Sequence, residues 1–126
     1  MTDMSGVSDV YLGTVVAYSN DIKMKILSVS KQTLDTFGAV SEETAYEMAQ
    51  NVREKFGADI AVSTTGIAGP TGATETKPVG LVYIAVAHKN GVSVKRYVFS
   101  GDRDTVRNNA SYRALYDALE IINAKN

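Results

Sequence analysis

The chain contains no cysteine, one histidine and only two prolines in 126 residues. Without cysteine there can be no disulfide, no thiolate zinc site and no thiol nucleophile. With His88 alone, a Ser-His-Asp triad could run only through that residue, and a multi-histidine metal cage is excluded. No apolar run approaches the roughly 20 residues that a membrane helix needs. The start "MTDMSGVSD" lacks the basic and apolar regions of a signal peptide, so the cytoplasm is the expected location. Nor is there an excess of charge of one sign. The 13 basic and 14 acidic residues are spread along the chain and leave no electrostatic footprint for nucleic acid or an anionic membrane. The expected partner is a small molecule or a protein.

What is present fits one globular domain over residues 1–126, 44% hydrophobic and 21% charged, without linkers or repeats. "YLGTVVAYS" (Tyr11 to Ser19) is rich in β-branched and aromatic residues and reads as a strand covered on both faces. Asn20 or Asp21 then caps a short helix, "DIKMKIL", and a second short helix runs through "SKQTLDTF" to Gly38. Ser41 to Phe56 is the clearest helix. Ser41 caps it, Glu42 and Glu43 favour the positive end of its dipole, and Ala45, Met48, Ala49, Val52 and Phe56 form one apolar stripe. "ADIAVSTT" is the next buried strand, while "GLVYIAVAH" and "VSVKRYVF" form a hairpin through "KNG". A last helix begins near Asp102 or Asp104, with Val106, Ala110, Ala114, Ala118, Ile121 and Ile122 facing the core. The reading is an α/β fold, a layered mixed sheet with helices in the order β-α-α-β-β-β-α.

Three segments could carry chemistry. "STTGIAGPTGATETKPVG" (63–80) holds both prolines and four glycines between two strands. Its glycines match neither a P-loop nor a dinucleotide fingerprint. They do follow the carboxyl end of a buried strand, where α/β sheets place ligands, and they let backbone N–H groups approach an anion. The competing reading is a plain connection stiffened by Pro70 and Pro78. In "SGDRDTVR" (100–107), Arg103 and Arg107 lie four apart at a helix start and could clamp a phosphate or carboxylate; alternatively they pair with Asp102 and Asp104. In "AYSNDIKMK", Lys23 follows the end of a buried strand, where desolvation would lower its pKa and suit it to proton transfer, with Tyr18 and Ser19 beside it. A lysine in a first helical turn is otherwise a solvated surface residue. His88 reads as a turn residue.

Taken together, "GTVVAYSNDIKMKIL", "FGAVSEETAYEMA", "STTGIAGPTGATETKPVGLVYIAVA" and "FSGDRDTVR" resemble the carboxy-terminal domain of the competence and damage-inducible protein CinA, from about Gly6 to Leu119. That domain also occurs alone as nicotinamide-nucleotide amidase. The resemblance implies an α/β domain, usually oligomeric, that hydrolyses the carboxamide of nicotinamide mononucleotide to nicotinate mononucleotide and ammonia, with no cofactor and no metal. It implies catalytic roles for Lys23, Tyr18, Ser19 and Thr65, and substrate binding by Gly66, Ile67, Ala68 and Gly69 with Arg103 and Arg107 at the phosphate. Members carry an earlier strand and helix with Ala-Glu-Ser-Cys-Thr-Gly-Gly, whose serine is the expected nucleophile; these 126 residues hold no such motif. The chain therefore reads as an amino-terminally truncated form of the domain that pairs with itself or with a separate piece. The alternative function is an inactive nucleotide-binding, phosphate-binding or assembly module.

Overall fold

The computed structural model describes residues 1–124. After a single 3₁₀ turn at Val7–Asp9, the elements are α1 (Asn20–Leu27), α2 (Lys31–Phe37), α3 (Glu42–Phe56), β1 (Ala61–Gly66), β2 (Leu81–His88), β3 (Gly91–Val98) and α4 (Arg103–Ala124). Each helix starts where its sequence offers a side-chain oxygen to a free N–H group. Ser19, Ser30 and Ser41 accept from Ile22, Thr33 and Thr44, and Asp102 accepts from Thr105. Gly57 closes α3 in the left-handed conformation.

The sheet has the order β1-β2-β3, and both pairings are antiparallel. The described strands therefore form an antiparallel sheet rather than a mixed one, because β1 meets β2 through a returning loop instead of a crossover helix. Central β2 alternates between two cores. Val82 and Ile84 pack against Val106, Ala110 and Ala114 of α4, whereas Ala85 and Ala87 pack against Ala45 and Ala49 of α3. Alanine against alanine lets α3 lie close to the sheet. A third cluster joins Leu27, Val29, Leu34 and Met48 with the half-buried Val15 and Ala17. The result is a three-layer α/β arrangement with helices on both faces.

The expected first strand is corrected. Residues 11–18 form neither helix nor strand and belong to no ladder. Val15 and Ala17 point into the helical cluster, while Leu12, Val16 and Tyr18 are exposed. The composition fixes an extended backbone with period two, yet a strand also needs a neighbour to take its N–H and C=O groups. One face is covered here, not two. Two stripe positions also differ: Phe56 at the end of α3 and Ile122 near the end of α4 are exposed. His88 ends β2, and its Nδ1 accepts from the N–H of Asn90, as a turn residue would.

Candidate functional site

The long loop is tied at both ends. Ile67 N–H donates to Leu81 O, Gly80 N–H to Ile67 O, and Phe99 N–H to Gly80 O, which brings the two ends of the loop together beside β3. Only glycine fits at position 80. Its φ is 91°, and a Cβ would stand 2.0 Å from Phe99 O. Within the loop, Arg103 donates through Nη1 to Gly69 O at 3.0 Å, and Lys77 Nζ donates to Phe37 O at 2.6 Å. One cation thus pins the glycine run to the start of α4, while the other pins the far limb to the end of α2.

An open cleft of about 230 Å³ lies between this loop and α4, lined among others by Thr64, Gly66, Ala68, Val106, Arg107 and Ser111. Arg107 reaches Asp104 at 3.7 Å, an exposed i,i+3 pair that constrains it little. Its guanidinium remains available to an anion at the cleft. The plainer reading of the "SGDRDTVR" segment finds a counterpart in the Arg107–Asp104 pair, and Asp102 is a plain cap, its carboxyl held below the usual range by the N–H of Thr105. Arg103 braces the loop, and Arg107 lines the cleft.

The other named residues stand on the opposite side of β1. Successive β1 side chains alternate, so Thr64 enters the cleft while Ser63 and Thr65 face the α3 layer and are buried. Ser63 Oγ donates to Ala45 O at 2.7 Å and Thr65 Oγ1 to Ala39 O at 2.7 Å. Lys23 is 6% exposed. Its Nζ donates to Ala17 O at 2.8 Å and Tyr18 O at 3.5 Å, and no carboxylate pairs with it among the described residues. Burial alone holds this amine below its ordinary pKa of 10.5. Ala17 and Ala39, whose carbonyls accept from Lys23 and Thr65, both pack against the cluster of Leu27, Val29, Leu34 and Met48. Ser19 caps α1 through Oγ, and the Tyr18 ring is exposed.

The structure thus brings Gly66, Ala68 and Arg107 together at the cleft, joined through the loop to Gly69 and Arg103, and keeps Lys23 and Thr65 on the far side of the strand. Ile67 turns over the loop, its side chain beside Gly72. Sequence reasoning missed Lys77 and Ser111. The period-four relation of Ser111 to Arg107 could have found the second; nothing local marks Lys77, which acts across 40 positions. Among the described residues, no group of three or more His, Asp or Glu side chains could hold a metal ion, and no helix is long and apolar enough to cross a membrane.

A three-layer domain with a glycine loop braced by an arginine at the start of its last helix defines the class. The model of the CinA C-terminal domain matches residues 1–122, and the chain belongs to that family. A CinA-like protein of Fusobacterium nucleatum is 46% identical over 125 residues, covering 99% of this chain and 30% of that protein. One of Kosmotoga olearia is 50% identical over 115 residues, covering 91% of this chain and 28% of that protein. The chain spans less than a third of the length of these curated relatives. Among solved structures, a CinA superfamily protein from Escherichia coli superposes with a TM-score of 0.81 at 39% identity, over 84% of this chain and 62% of that one. A competence/damage inducible protein from Agrobacterium tumefaciens gives a TM-score of 0.73 at 40% identity, over 85% and 64%.

Proposed function

We propose that this chain is an amidase domain acting on a nucleotide carboxamide, hydrolysing nicotinamide mononucleotide to nicotinate mononucleotide and ammonia. The observation that carries the reading is Lys23, a buried amine on backbone carbonyls with, among the described residues, no carboxylate to keep it charged. Desolvation favours its neutral form, which can accept a proton from an attacking hydroxyl or water and return it to the leaving nitrogen. In the overall reaction, water adds across the carbonyl carbon and the C–N bond breaks, giving a carboxylate and ammonia. Thr65, Ser19 and Tyr18 are the hydroxyl residues that the resemblance to the family assigns to the site. Arg107, beside Thr64 and the glycine run, offers a phosphate a place in the cleft on the other face of β1 from Lys23, so it supports nucleotide binding there and not a site shared with the amine.

A second reading is favoured by one specific observation. The Ser19 and Thr65 hydroxyls are already committed to a cap and to Ala39 O. A module that binds the nucleotide without turning it over would need neither hydroxyl free. Ammonia release from nicotinamide mononucleotide separates the two. Turnover that disappears in Lys23→Ala supports the amidase, whereas saturable binding without ammonia release rejects it in favour of the binding module. Turnover that survives Lys23→Ala rejects Lys23 as the proton carrier.

A further inference from the structure

Three consecutive backbone carbonyls in the turn between α2 and α3 are each taken by side-chain donors, and the donors come from three parts of the chain. Phe37 O accepts from Lys77 Nζ of the long loop at 2.6 Å. Gly38 O accepts from Ser41 Oγ and Thr44 Oγ1 at the start of α3, each at 2.8 Å, and Ala39 O accepts from Thr65 Oγ1 of β1 at 2.7 Å. Phe37 is the last residue of α2, so its carbonyl has no partner within the helix and lies at the negative end of the dipole; an ammonium there meets both needs. A Cβ on Gly38 would stand 2.9 Å from Nζ, so the amine occupies room left by the absent side chain. The proposed reaction uses Thr65 and the glycine run but gives Lys77 no part.

Lys77 is also fixed where it leaves the loop. Its N–H donates to Thr74 Oγ1 at 3.1 Å and its carbonyl accepts from the N–H of Thr74 at 2.8 Å, which closes a small turn on the returning limb. Two positions on, Val79 lies against the glycine run: a Cβ on Gly69 would stand 2.6 Å from Val79 Cγ1. Gly69 is the residue whose carbonyl Arg103 of α4 takes. The glycine run therefore has Arg103 on its carbonyl and Val79 against its backbone, and Val79 belongs to the limb that Lys77 fastens to the α2–α3 turn. We infer that Lys77 is a positioning residue for nucleotide binding: it clasps the returning limb to the turn that also anchors Thr65, and so holds the glycine run in its binding conformation. The inference takes its substrate from the amidase reading and acts through the loop, not on the reacting atoms. Because this hydrogen bond lies at the surface, both partners regain water when it is broken and the fold loses little. What is lost is the prior ordering of the loop, which the substrate must then supply on binding.

The test compares Lys77→Met, which keeps the stem and removes the donor, with Lys77→Arg, whose guanidinium can still donate to Phe37 O. For ammonia release from nicotinamide mononucleotide, Lys77→Met is expected to raise KM about 10-fold with kcat within about twofold of wild type, the mark of lost binding rather than lost chemistry, and Lys77→Arg to restore KM. Residues 68–79 should take up deuterium at least about threefold faster in Lys77→Met, while the urea midpoint stays at the wild-type value. A fall in kcat with KM unchanged, exchange of 68–79 at the wild-type rate, or no recovery in Lys77→Arg would each overturn the inference. A lowered midpoint or loss of fold in Lys77→Met also overturns it, since the lysine would then be a plain structural tie. If wild type binds the nucleotide but releases no ammonia, the amidase reading fails by itself and binding decides the clasp. A Kd about 10-fold weaker in Lys77→Met, with faster exchange of 68–79, then supports it. Equal affinity, or no binding by wild type, overturns it.

Discussion

Among the described residues, two titratable side chains, Asp117 and Lys23, are removed from water, and the fold treats them in opposite ways. Asp117 on α4 is 4% exposed and surrounded by donors: Tyr97 Oη gives it a hydrogen bond at 2.8 Å, Arg113 Nε stands 3.1 Å away and Lys95 3.9 Å away. Arg113 also lies over the rings of Tyr97 and Tyr116, so its position is fixed from both sides. Lys23, 6% exposed, has two carbonyls and, among the described residues, no counter-charge. A buried charge that is paired and hydrogen-bonded holds elements together, here β3 to α4. One left with neutral acceptors destabilises its own ionised form, and such an arrangement persists where reactivity depends on it.

The largest expected effect comes from taking Lys23 away. Lys23→Met keeps the apolar stem and removes the amine. Ammonia release from nicotinamide mononucleotide should fall by about 10²–10⁴, the usual worth of a positioned acid–base group. The urea midpoint should not fall, since a desolvated amine is replaced by a side chain that prefers burial. A loss of stability above about 2 kcal/mol would erase the contrast, because Lys23 would then be a structural tie of the same kind as Asp117.

Asp117→Ala should do the reverse. It removes the acceptor of the Tyr97 hydroxyl and the ionic partner of Arg113 and should lower stability by about 2 kcal/mol, the range for hydrogen bonds to a charged group. Turnover and substrate affinity should be unchanged at temperatures well below the melting point. Tyr97→Phe is the milder version: it deletes one donor, keeps the ring stacked on Phe99 at 5.6 Å, and should cost about 1 kcal/mol. An Asp117 variant as stable as wild type would show the cluster to be solvated surface charge.

The contrast also marks how far the sequence could be read. The Ser41 cap, the α3 stripe up to Val52 and the KNG hairpin were legible because each is local, settled by a hydroxyl or an apolar period within a few positions, whereas α1 is capped by Ser19 and not by Asn20 or Asp21. Asp117 was not, since nothing in "YDALE" shows that Tyr97 and Arg113 will converge on it across 20 and four positions. The site was half legible. Arg107 and the glycine run could be proposed from motif spacing, but strand alternation sends Thr64 into the cleft and Thr65 away from it. Residues 11–18 misled for the same reason. Their composition specifies extension, while ladder formation depends on a neighbouring backbone that local sequence does not encode.

The smallest effect, and the finest test of the comparison, is the pH dependence of stability. The folded state holds the Lys23 pKa below 10.5, so between that lowered value and 10.5 the unfolded chain binds more protons than the folded one. Stability from this group therefore rises with pH across that window. Burial, with the hydrogen bond to Asp117, raises Tyr97 above 10.0, so its contribution is complete below pH 10 and is lost as pH climbs through the raised value. Lys95, raised first by its hydrogen bond to Glu120, acts in the same alkaline direction as Tyr97. In urea titrations from neutral pH upwards, the midpoint of Lys23→Met relative to wild type should shrink as pH approaches 10.5, because wild type sheds the cost of its charged amine. Tyr97→Phe should leave that convergence intact and soften only the decline above pH 10. A midpoint difference for Lys23→Met that widens with pH would mean that the folded state favours the ammonium, and the carbonyls of Ala17 and Tyr18 would then outweigh the loss of water.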